Sequence, residues 1–145
     1  MIVALVLAVL QFCGTTAHVD TAQLAIIFGG DGGAMVIGTL LILTFFAPEG
    51  SKFRHGALRW GLLVIGAAAF VDTASTWWRA RTDLGVIPFG EIEGVGLSDP
   101  SKLAEAGWSP HLIVSRYVTL AGVCLAVILG VWAWQTWAMR QRSRG

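Results

Sequence analysis

The stretch Ile26-Ile27-Phe28-Gly29-Gly30-Asp31-Gly32-Gly33-Ala34-Met35-Val36-Ile37 sets four glycines and a carboxylate inside an otherwise apolar run. A phosphate-binding loop fails on chemistry: no Lys-Ser/Thr pair follows the glycines, and the spacing is not G-x-G-x-x-G after a strand. Two readings then remain. In one, the helix breaks and Asp31 caps a second half-helix from Gly33 to Phe46, about 14 residues and too short alone to cross a bilayer. In the other, the helix runs on, unbroken or kinked, and Gly29 and Gly33 form a small-xxx-small face for close helix contact. We adopt the continuous helix.

Composition carries the membrane reading to the whole chain. Of 145 residues 55% are hydrophobic and only 13% charged, with mean hydropathy +0.69. A soluble domain carries roughly one-quarter charged residues. The net charge of +1 provides no basic field for nucleic acid. Cys13 and Cys124 both lie in apolar segments and read as small buried residues. The run before Thr15 lacks a basic n-region, so it reads as a retained helix rather than a cleaved signal. A missing upstream part of a longer protein would give the same apolar start.

The expected fold is all-α, an integral membrane domain over 1–145 with four transmembrane helices. A span needs about 20 apolar residues, and segments near 1–17, 22–47, 57–78 and 112–138 come close to that length. Pro48 and Gly50 stop the second, and Pro110 closes the long loop 79–111 before the fourth. In that loop Ser98-Asp99-Pro100-Ser101 reads as a capped short helix with Asp99 as cap, and no alternation is long enough for a strand.

Basic residues give an orientation. Lys52, Arg54 and Arg59 flank the second connection, and Arg140, Arg142 and Arg144 fill the tail. Two helices separate these groups, so both face one side, and the positive-inside rule makes that side cytoplasmic, with both termini inside a cell membrane. Arg79 and Arg81, at the opposite end, run against this rule. Tryptophans collect at headgroup level; Trp77 and Trp78 are expected to mark the outer boundary, and Trp60, Trp132, Trp134 and Trp137 the inner one.

Charges inside the spans are the candidate functional residues, because an ionisable group in hydrocarbon is costly and normally paired or wet. At a rise of about 1.5 Å per residue, Asp31 lies roughly 14 Å below the outer surface, Asp72 about 9 Å and Arg116 about 6 Å. His18, Asp20 and His111 sit at the same boundary. The expected arrangement is a buried polar cluster of Asp31, Asp72, Arg116 and His18, in which Arg116 pairs with an acid. Such a cluster serves either as a packing salt bridge or as a proton, ion or metal site.

Ser115, Thr119, Gly122, Ala126 and Gly130 fall on one stripe of the fourth helix and are expected to pack on a helix of this chain or a partner. Gly61, Ala68, Ala69, Asp72 and Thr76 share about one face of the third, which would turn Asp72 into the bundle. No Ser-His-Asp arrangement, H-E-x-x-H or haem-type Cys-x-x-Cys-His is present. No catalytic residue and no cofactor is therefore assigned.

The order "FGGDGGAMVIGTLL" (28–41), "LRWGLLVIGAAAFVDTASTWW" (58–78) and "GLSDPSKLAEAGWSP" (96–110) resembles the later part of site-2-protease-type membrane metallopeptidases. That resemblance implies a Gly-rich turn opening one helix, an acid in a later helix and a Ser-Asp stretch before a final helix, with Asp72 at the place of the later acidic ligand. The zinc-binding H-E-x-x-H of that family is absent. The function expected from the residues is an accessory or structural subunit packed among partner membrane subunits, or copies of itself, in lipid. The alternatives are an incomplete metallopeptidase-like protein, or a small proton or ion conductor using Asp31 and Asp72.

Overall fold

The computed structural model describes residues 19–48, 50–54, 56–87, 89–92 and 96–142. It is helical. Helix α1 runs Val19–Thr44, α2 Gly56–Arg79, α3 Asp99–Glu105 and α4 Pro110–Arg142. Of these, α1, α2 and α4 are long and apolar enough to cross a membrane. The first expected span, 1–17, lies outside the described residues, as do His18 and Cys13.

Helix α1 continues through all four glycines and Asp31 without a break. Each glycine costs about 1 kcal/mol of helix propensity relative to alanine, but in hydrocarbon a broken helix would strand several backbone polar groups at a larger cost. The helix ends three residues earlier than the apolar run. Phe45, Phe46 and Ala47 close tight turns by donating to the carbonyls of Ile42, Leu43 and Thr44, which satisfies the last carbonyls before Pro48. Gly56 then opens α2 with φ +56, a left-handed conformation that side chains resist.

Helices α1 and α2 pack with their backbones nearly touching. A Cβ on Gly38 would lie 2.8 Å from the Gly66 carbonyl oxygen, and one on Gly66 would lie 2.7 Å from the Gly38 carbonyl oxygen. Lipid tails are as apolar as leucine, so close contact of this kind, and not apolar burial, drives association. Among the described residues the glycines at the α1–α2 contact are thus Gly38 and Gly66. Around Gly29, Gly33, Gly122 and Gly130 an added Cβ would meet no other atom within 4 Å, and Ala126 is exposed. Among the described residues those glycine faces are open, because the three described helices meet along other sides.

The connection from α2 to α4 folds back over α1. Ile87, Leu103, Ser98 and Ser101 are buried there. It contains a two-stranded antiparallel hairpin, Glu91–Ile92 against Gly96–Leu97, too short for any alternation to reveal. Ser98, not Asp99, is the residue that caps α3, and Pro100 follows in its first turn. The Ser98 hydroxyl donates to Ser101 Oγ at 3.0 Å, and Ser101 Oγ accepts the Gly90 N–H at 2.8 Å. These bonds tie the hairpin to α3. The Ser109 hydroxyl accepts the Leu112 N–H at 3.2 Å and caps α4.

Candidate functional site

Beneath the folded-back connection lies an aromatic stack. Tyr117 of α4, the only tyrosine in the chain, is sandwiched between Trp77 of α2, with centroids 3.9 Å apart, and Phe28 of α1, 4.3 Å apart. The Tyr117 hydroxyl donates to the Phe28 carbonyl at 3.0 Å, and Trp77 Nε1 donates to Asp31 Oδ2 at 2.9 Å. Three spans are thereby joined at one level. Buried Trp and Tyr need partners for their polar tips, and an α1 carboxylate and an α1 carbonyl supply them.

Trp77 is therefore a core residue, only 1% exposed, and not a boundary marker, whereas Trp78 is 61% exposed. Successive helix residues point about 100° apart, and here Trp77 falls on the side of α2 that meets α1 and α4 while Trp78 falls outside it. Trp60, Trp132, Trp134 and Trp137 are all exposed.

Of the four residues expected to cluster, His18 lies outside the described residues, and Asp31, Asp72 and Arg116 do not converge. Asp31 is bound by Trp77, with the carboxylate edge open, and an added Cβ on neighbouring Gly30 would lie 3.1 Å from Asp99 Oδ2. The charged loop helix thus descends to the level of Asp31. Arg116 pairs with neither Asp31 nor Asp72: its guanidinium lies over the Trp108 ring at 3.9 Å. Asp72 is exposed. On α2 the buried positions are Gly66, Phe70 and Trp77, and Asp72 lies roughly 150° around the helix from their mean direction. It faces away from α1 and α4, and not between them as expected, because the Gly66 face is the one that meets α1.

Asp72, Ala68, Ile65 and Gly61 form a continuous outward face on α2, and all four are exposed. At the end of that helix Arg81 lies over Trp78 at 4.4 Å. Among the described residues there is no group of three or more His, Cys, Asp or Glu able to hold a metal. A metal site using Asp72 would need its other ligands from elsewhere. Tyr117, Phe28 and Trp108 were not marked by the sequence as site residues. Their signal was a tyrosine and a tryptophan in apolar context, which does not say which helices their polar tips reach. Comparison of the chain with protein-family models, with curated proteins and with solved structures gives no match.

Proposed function

We propose that this chain is an accessory or structural subunit of a larger membrane assembly, and that the outward face of α2 is its contact with a neighbouring transmembrane helix. One observation carries the reading: Asp72 sits seven residues before the end of α2, about 10 Å inside the span, with its side chain exposed. A carboxylate facing hydrocarbon is expensive, and such residues are normally paired or face a bundle interior. A partner helix bringing a basic or hydrogen-bonding side chain to that depth removes the cost. The small residues Gly61 and Ala68 on the same face permit a close approach.

The assembly lies in a cell membrane, with the end that carries Lys52, Arg59 and Arg140 on the cytoplasmic side. Conduction between Asp31 and Asp72 finds less support. Asp31 is held on the Trp77 side of α2 and Asp72 lies on a different side, so a proton relay would have to pass around the helix.

Extraction of the tagged chain in native-membrane particles tests the reading. Wild type is expected to run in a particle containing further polypeptide, and Asp72→Leu to run as a single 15.5 kDa chain with unchanged helicity. A lone wild-type chain, or an assembly indifferent to Asp72→Leu, overturns it.

A further inference from the structure

At the basic end of the bundle the turns that follow α1, the first turn of α2 and the end of α4 line a cavity of about 300 Å³. Its walls include Phe45, Phe46, Trp132 and Met139, and its polar groups are Arg59, Gln135 and Thr136. Two of the three polar side chains are engaged: Gln135 Nε2 donates to the Phe46 carbonyl at 3.4 Å, and the Thr136 hydroxyl donates to the Trp132 carbonyl at 2.8 Å. Arg59 differs. Its guanidinium carbon lies over the Phe45 ring, 3.7 Å from the centroid, and its Nε is buried with no hydrogen-bond partner among the described residues. A buried donor without an acceptor is destabilising, more so when charged, and native proteins rarely leave one.

Two further features favour an anion here. The first turn of α2 contains no acidic residue, so the positive end of that helix dipole lacks its usual complement while Arg59 adds positive charge beside it. Arg59 also lies three residues into α2, about 4.5 Å along its axis, beside exposed Trp60 and with exposed Trp132 in the same cavity wall. Rings of this kind settle at headgroup level, so the cavity opens where lipid phosphates lie.

We infer that this cavity is a binding site for one anionic phospholipid, whose phosphate accepts from the Arg59 guanidinium while its glycerol and upper acyl chain lie against Phe45, Phe46, Trp132 and Met139. Planar guanidinium donors match phosphate oxygens in pairs, and the apolar walls exclude a fully hydrated inorganic ion. The inference requires membrane insertion but not the subunit role, so Asp72→Leu leaves lipid binding unchanged.

Native mass spectrometry of the full chain, released from nanodiscs holding equal phosphatidylglycerol and phosphatidylcholine of matched acyl length, tests it. One retained phosphatidylglycerol is expected, favoured about tenfold over phosphatidylcholine, a preference equivalent to about 1.4 kcal/mol. Arg59→Gln abolishes the preference. Met139→Trp, a change at an exposed position that fills the cavity without touching the charge, also removes the adduct. Inorganic phosphate added in excess does not displace it. Equal retention of the two lipids, a preference that survives both variants, displacement by inorganic phosphate, or a partner polypeptide in place of lipid at Arg59 overturns the inference.

Discussion

Trp77 joins two interactions that neither neighbour could make alone: its face stacks on Tyr117 and its edge donates to Asp31. Trp77→Phe keeps most of the stacking area and deletes the donor, so it is expected to lower stability by about 1–2 kcal/mol, the range for hydrogen bonds to a carboxylate tempered by the smaller values measured in membranes. Asp31→Asn retains an acceptor oxygen and is expected to cost less than Asp31→Ala. Thermal unfolding in detergent, followed by tryptophan fluorescence, reads both. Equal losses for Asp31→Asn and Asp31→Ala would mean that charge, and not the Trp77 bond, is what Asp31 contributes. Tyr117→Phe removes the bond to the Phe28 carbonyl and leaves the three-ring stack, so its cost is also expected near 1 kcal/mol.

The helix pairs depend on glycine at specific places. Gly66→Ala sets a Cβ against backbone oxygen at 2.7 Å, a clash that no rotamer relieves, and is expected to cost about 1–3 kcal/mol or to separate α1 from α2. Gly29→Ala and Gly33→Ala meet open space and are expected to be neutral or to stabilise by up to about 1 kcal/mol through helix propensity. A melting series of the three variants checks the contrast, and a destabilising Gly33→Ala would contradict the open face. The positions of α1, α2 and α4 were legible in hydropathy and in Pro48 and Pro110, because a span is a property of local composition. The choice of Gly38 and Gly66 over Gly29 and Gly33 was not, since every glycine offers a close approach and only the relative rotation of two helices selects which is used. The same limit explains Asp72: its helix and depth follow from position, but its direction follows from which side of α2 meets α1. The stack of Phe28, Trp77 and Tyr117 was hidden for a further reason, as residues far apart in sequence come to one level only once the long connection folds back over α1.

For the whole molecule, the ends of the bundle differ in charge and chemistry. The α1–α2 connection and the end of α4 lie together, as the Gln135 contact to Phe46 requires, and they share the basic residues. With that end cytoplasmic, a cysteine placed at Lys52 is expected to react with a membrane-impermeant thiol reagent only in inverted vesicles, and one placed at Thr82 only in intact cells. The reverse pattern would invert the orientation. The outward faces of the spans are the remaining surface available for assembly, and they are unequal: Asp31 of α1 is exposed but accepts the Trp77 bond, whereas Asp72 of α2 is exposed on a face shared with Gly61 and Ala68.

The claim that this face holds a neighbouring helix is tested most directly by scanning a photo-crosslinking amino acid through α2 in intact membranes, at 61, 65 and 68 and, as comparison, at 64, 71 and 78. Cross-links to a polypeptide are predicted at the first set, recurring every three to four residues, and are predicted to vanish when Asp72→Leu is combined with the probe at 65 or 68. Lipid adducts alone at all positions, or polypeptide cross-links with no helical period, would contradict the account.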